Sequence, residues 1–104
     1  MINKINICVI GMGYVGLPLA NAMSKYFNTY GYDIDKEKIK NLKNRLDQNK
    51  EINQINKKLK FSSDEKIFIN CNTFIICLPT PINKKNIPDL NILKKSYTSL
   101  SKYL

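Results

Sequence analysis

Lys4–Ala22, KINICVIGMGYVGLPLANA, is the stretch whose reading decides the fold of this 104-residue chain. It joins a short apolar run to three spaced glycines and then to a helical pattern. Ile5, Ile7, Cys8, Val9 and Ile10 make a nearly continuous, β-branched run, the pattern of a strand covered on both faces in a parallel sheet. Gly11-Met12-Gly13-Tyr14-Val15-Gly16 then has the G-x-G-x-x-G spacing. In that spacing Gly11 permits a tight turn, Gly13 lets backbone approach a pyrophosphate, and Gly16 lets the next helix sit close on the strand. Val15, Leu19, Ala22, Met23 and Tyr26 recur at helical intervals and predict one apolar stripe. The free N–H groups and positive dipole end of that helix would face the turn and make it an anion site.

Downstream, Asn28–Tyr32 reads as a second strand running into Asp33-Ile34-Asp35. Asp33 stands 22 positions after Gly11, close to the roughly 20 residues expected for the acid that grips an adenosine ribose. A carboxylate there accepts hydrogen bonds from both ribose hydroxyls and repels a 2′-phosphate, which favours NAD over NADP. The competing role for either acid is to cap the next helix. We assign Asp33 to the ribose and Asp35 to the cap. That helix is predicted over Lys36–Leu46, with Ile39, Leu42 and Leu46 facing the sheet. Lys38 in its first turn opposes the helix dipole unless an anion lies nearby. It is a candidate for the adenosine side of a dinucleotide, a solvated surface lysine being the alternative.

The remainder repeats the alternation. Asp47–Lys58 is polar, with Ile52 and Ile55 its main apolar positions, and is predicted to be a loose connection. Leu59–Ser62 is a short third strand, and Ser63 and Asp64 can cap one or two helical turns ending near Asn70. Thr73–Leu78 is the most β-prone run and is predicted to be a central buried strand. Pro79-Thr80-Pro81 stops it and holds Thr80 at the carboxyl edge, where ligands of open α/β sheets bind. After a basic loop, a last helix begins at Asn91 with Leu93, Tyr97, Leu100 and Leu104 on one face. The order of elements predicts an α/β fold: a Rossmann-like parallel sheet with flanking helices, stopping after about four strands.

Composition narrows the partners. At 12.0 kDa the chain is one small domain, and no apolar run is long enough to span a bilayer. Lys4, the apolar run and Ala20-Asn21-Ala22 imitate a secretory signal, but three glycines and Pro18 interrupt it, so a cytoplasmic, uncleaved chain is expected. The net charge of +9 would ordinarily suggest a phosphate-rich partner. It is almost all lysine, Arg45 being the sole arginine, scattered beside abundant Asn and Ile as AT-rich coding would place it. No basic stripe is interleaved with stacking aromatics, so neither nucleic acid nor membrane is an expected partner. Cys8, Cys71 and Cys77 lack C-x-x-C spacing and the chain has no histidine, which leaves too few ligands for zinc. Cys8 and Cys77, inside apolar runs, read as small core hydrophobes.

GMGYVGLPLA, then GYDID, TFIICLPTPI and PDL, in that order over essentially all 104 residues, resembles the N-terminal domain of the UDP-glucose/GDP-mannose dehydrogenase family. The likeness is nearest to the bacterial UDP-N-acetylhexosamine 6-dehydrogenases of surface-polysaccharide synthesis. The resemblance implies oxidation of a sugar C6 alcohol to a carboxylate with two NAD⁺ reduced in turn, a cysteine carrying the acyl group as thiohemiacetal and thioester. It implies Gly11, Gly13, Tyr14, Val15 and Gly16 on the pyrophosphate, Asp33 on the ribose, Lys38 on the adenosine side, and Thr80 and Pro81 near the nicotinamide half. Family members are several times longer, with catalytic cysteine, lysine and sugar-binding residues beyond the point matched by Leu104. The expectation is therefore an incomplete NAD-binding domain, 1–104, with no catalytic residues, no metal and no turnover alone. An exposed strand edge would favour self-association or a complementary C-terminal chain. The alternative is a stand-alone NAD(H)-binding or regulatory module.

Overall fold

The computed structural model describes residues 4–44, 54–78 and 91–103. β1 (Asn6–Ile10) is the axis of the sheet. Ile7, Cys8, Val9 and Ile10 are at most 2% exposed, as a strand covered on both faces requires. Burying side chains of the Ile and Val kind contributes about 1.5–3 kcal/mol each. β1 pairs in parallel with β2 (Asn28–Tyr32) on one side, Ile10 opposite Tyr32, and with β4 (Thr73–Ile76) on the other, Ile10 opposite Ile76. β3 (Lys60–Ser62) adds to the outside of β2, and the order is β3-β2-β1-β4.

Side chains alternate across a strand, so β1 feeds two cores. Ile7 and Val9 join Leu17, Ala20, Ile39, Leu42, Leu59 and Phe61 beneath α1 (Gly16–Met23) and α2 (Lys36–Lys43). Cys8 and Ile10 join Phe68 and Leu100 on the opposite face. That face is covered by a 3-10 helix, Glu65–Asn70, and by α3 (Asn91–Ser101). Phe68 anchors it, meeting Tyr32, Phe74 and Tyr103 edge-on at centroid distances of 4.8, 5.8 and 5.7 Å. Where the described chain resumes, the Asn56 N–H donates to Asn21 Oδ1 at 2.6 Å and pins that connection to α1.

Several expectations shift. The apolar stripe of α1 does not run through Val15, Ala22 and Tyr26, which are exposed. The buried positions are Gly16, Leu17, Ala20 and Ser24, because the packing of Gly16 on the turn fixes the rotation of the helix and carries Ala20 and Ser24 inward with it. Ile5 is outside β1 and 47% exposed. α2 ends at Lys43, and Leu46 lies outside the described residues. Leu59 is fully buried but precedes β3. β4 is shorter than expected and half-buried, not a fully buried central strand, since among the described residues nothing pairs with its outer edge. Among the described side chains of α3 the packed ones are Ser96, Ser99 and Leu100, joined by Tyr103 just past its end, with Tyr97 58% exposed; the Leu93 side chain lies outside those described. Leu100 packs in the cluster around Phe68 and the Tyr103 hydroxyl donates to Glu65 Oε1 at 3.1 Å, which turns Tyr97 outward. Leu104 lies outside the described residues. Among the described residues no helix is long and apolar enough to cross a membrane.

Candidate functional site

At the carboxyl edge of the sheet, β1 ends in a turn that carries three glycines, two of which the fold requires. Gly11 has φ +102°, a conformation side-chain-bearing residues rarely adopt, and its N–H donates to the Tyr32 carbonyl at 2.7 Å. A Cβ there would stand 2.6 Å from the Cys77 carbonyl oxygen, so chain leaving β4 also requires glycine. A Cβ on Gly16 would run into the Gly11 carbonyl oxygen. Gly13 is different: a Cβ there would meet no protein atom within 4 Å. Nothing among the described residues demands glycine at 13, whereas a ligand lying against the backbone would.

α1 begins at this turn without a side-chain cap on Val15 and without an acid in its first turn. Pro18, in that first turn, has no N–H to satisfy. The Leu17 N–H is taken by the Gly13 carbonyl at 3.2 Å; N–H groups at a helix start that lack such a partner favour an anion. Tyr14 and Val15, 68% and 69% exposed, rim the turn.

Asp33 follows β2 and is built into the turn. Its Oδ2 accepts the Met12 N–H at 2.9 Å and its Oδ1 accepts the Asp35 N–H at 3.0 Å. A carboxylate offers about four acceptor sites, so two such bonds leave capacity for hydroxyl donors. Lys38 Nζ lies 3.7 Å from Asp33 Oδ2, and this is the anion that its place near the start of α2 calls for. Asp35 is the N-cap, its Oδ1 accepting the N–H groups of Glu37 and Lys38 at 3.1 and 3.0 Å.

Beside Asp33 opens a cleft of about 270 Å³ walled by Gly11, Ile34, Phe68, Leu78 and Ser99. Ile34 is 82% exposed at its mouth. Tyr32 also borders it, and burial, then the Glu65 and Asp33 carboxylates, push its phenol above the ordinary value of 10.0. The fold thus brings Gly11, Gly13, Tyr14, Val15, Gly16, Asp33 and Lys38 to one edge. Lys38 reaches Asp33 and does not wall the cleft. Thr80 and Pro81 lie outside the described residues, two and three positions past Leu78. Sequence reasoning missed Ile34, Phe68 and Leu78 as cleft walls. The position of Ile34, directly after the strand-end acid, was the available signal. It also missed Met12, 1% exposed, whose side chain packs against Gly31 of β2 while its N–H holds Asp33. Among the described residues there is no cluster of three or more metal-ligating side chains.

A parallel sheet with a glycine turn leading into an uncapped helix at its carboxyl edge places the chain in the Rossmann-like class of dinucleotide-binding domains. Residues 5–104 match the UDP-glucose/GDP-mannose dehydrogenase family, NAD binding domain. The chain belongs to that family, and its cofactor is NAD. It is 41% identical over 99 residues to the UDP-N-acetyl-D-glucosamine 6-dehydrogenase of Salmonella typhi, covering 91% of this chain and 23% of that protein. It is 36% identical over 104 residues to the enzyme of the same name from Pseudomonas aeruginosa, covering 96% and 25%. Among solved structures it superimposes on the UDP-D-ManNAc dehydrogenase of Pyrococcus horikoshii with TM-score 0.84 at 28% identity, over 96% of this chain and 26% of that one. The chain therefore spans about a quarter of the length of the relatives it matches.

Proposed function

We propose that these residues form the NAD-binding part of a UDP-N-acetylhexosamine 6-dehydrogenase. The reaction is oxidation of a sugar C6 alcohol to the carboxylate, for polysaccharide synthesis. When bound, NAD⁺ supplies the hydride acceptor. The chain's own residues position it: the turn from Gly11 to Gly16 and the N–H groups opening α1 hold the pyrophosphate, with Tyr14 and Val15 on its rim. Asp33 accepts from the ribose hydroxyls, Lys38 neutralises Asp33 and flanks the adenosine side, and the cleft by Ile34 takes the adenine. Thr80 and Pro81 are assigned to the nicotinamide half.

The observation that carries this reading is the Asp33 carboxylate fixed to the turn by the Met12 N–H. One hydrogen bond sets the spacing between the pyrophosphate cradle and the ribose acceptor. Calorimetric titration tests it: NAD⁺ binds more tightly than NADP⁺, and Asp33→Ala lowers NAD⁺ affinity at least about tenfold, the loss expected for a charge-assisted hydrogen bond. Unchanged affinity in a folded Asp33→Ala removes the assignment.

By the family resemblance, the sugar-binding residues and the acyl-carrying cysteine are assigned to regions of the relatives that this chain does not match, and residues 1–104 are proposed to bind cofactor without turning over substrate by themselves. Mixed with NAD⁺ and UDP-N-acetylglucosamine, they yield no NADH absorbance. Steady NADH production would contradict this.

A further inference from the structure

The last turns of α3 carry the hydroxyl side chains Ser96, Thr98, Ser99 and Ser101, and these fall into two pairs. Thr98 and Ser101 are exposed and bond back to their own helix. Thr98 Oγ1 donates to the Lys94 carbonyl at 3.0 Å, and Ser101 Oγ donates to the Thr98 carbonyl at 2.8 Å. A hydroxyl inside a helix is ordinarily settled in this way or by water. Ser96 and Ser99 are half-buried instead, three positions apart on one face of α3, and both wall the cleft beside Asp33. Neither of their hydroxyls has a hydrogen-bond partner among the described residues.

The rest of the cleft gives that pair its consequence. Ile10, Ile34, Phe68 and Leu78 make its other walls largely apolar. A ligand that fills the cleft displaces water from the two serines, and a hydroxyl left without a partner there is costly. A wholly apolar ring would strand both. A flat ring with a polar edge would satisfy them, provided that the edge shows a donor and an acceptor together, since a hydroxyl can take either role. Lys95, exposed on the same wall, can only donate.

We propose that Ser96 and Ser99 read the polar edge of the adenine and so set which base the cofactor site accepts. The inference rests on the reading of the cleft as the adenine subsite. Adenine shows its exocyclic amine, a donor, beside a ring nitrogen, an acceptor. One serine accepts from the amine and the other donates to the ring nitrogen, while the apolar walls exclude water from the base. Selectivity for the base then comes from α3, an element apart from the glycine turn and the strand ends that hold the pyrophosphate and ribose.

The test is calorimetric titration of the folded chain with NAD⁺ and with etheno-NAD⁺, in which a two-carbon bridge covers the exocyclic amine and the neighbouring ring nitrogen. Etheno fluorescence gives a second readout. NAD⁺ should bind about tenfold more tightly than etheno-NAD⁺, as two neutral hydrogen bonds allow. In Ser96→Ala/Ser99→Ala, NAD⁺ affinity should fall about tenfold and etheno-NAD⁺ affinity should move by less than about twofold, so that the gap closes. Alanine favours a helix at both positions, and circular dichroism checks the fold. Thr98→Ala/Ser101→Ala, which removes the outward pair, should change neither affinity. A gap as wide in the serine variant as in the unaltered chain, NAD⁺ affinity unchanged by its two substitutions, or an equal loss in Thr98→Ala/Ser101→Ala would each overturn the proposal. Failure of both dinucleotides to bind overturns the cofactor reading together with it. NAD⁺ binding that depends on Asp33 but not on the serines overturns this inference alone.

Discussion

Gly13 and Gly16 are chemically identical and stand three positions apart, yet the fold requires only one of them. A methyl group at Gly16 collides with the Gly11 carbonyl and has no flexible neighbour to displace, whereas at Gly13 it enters open space. Gly16→Ala should therefore destabilise by about 3 kcal/mol, at the upper end for overpacking a close contact. Gly13→Ala should stay within about 0.5 kcal/mol in a urea titration and yet weaken NAD⁺ binding. Equal stability losses in the two variants would mean that Gly13 is structural. The structural roles of Gly11 and Gly16 were legible in the spacing, since each follows from what a Cβ would block. The rotation of α1 was not, because counting apolar side chains gives weight to Val15 and Tyr26. Gly16, Ala20 and Ser24 carried the phase instead, three small residues at intervals of four that let helix backbone lie close on the sheet.

At the scale of elements, β2 does most to assemble the site. Its last carbonyl receives the Gly11 N–H, its Gly31 leaves room for Met12, and the residue after it is Asp33. Of the acids that follow, Asp35 caps α2 through two backbone N–H groups, as expected. Asp35→Ala should cost about 1 kcal/mol of stability, the usual value for a lost N-cap. NAD⁺ affinity should move far less than in Asp33→Ala, and a calorimetric loss equal to that of Asp33→Ala would show that Asp35 also reaches ligand. The existence of β1, β2 and β4 was readable because each is a dense β-branched or aromatic run bounded by turn residues, whereas which strand pairs with which was not. The cleft was not, because Ile34, Phe68, Leu78 and Ser99 come from four separate stretches and no local period connects them.

For the whole molecule, the sheet organises two faces and leaves one side of β4 without a partner among the described residues. Phe74, Ile75 and Ile76 are half-buried along that strand, and an unpaired apolar strand is a template for association. Sedimentation of the chain should show dimers or larger species growing with concentration, and a single monomeric species at high concentration would contradict this. The net charge of +9 opposes such contacts at low ionic strength, so association should increase with added salt. The central claim concerns neither edge nor charge but the cradle at the carboxyl end of β1 and β2. Its most direct test is calorimetric titration of the folded chain and of Asp33→Ala with NAD⁺ and NADP⁺. The account predicts saturable NAD⁺ binding, weaker NADP⁺ binding, and at least a tenfold loss for NAD⁺ in the variant. Equal affinity for the two nucleotides, unchanged when Asp33 is removed, would contradict it.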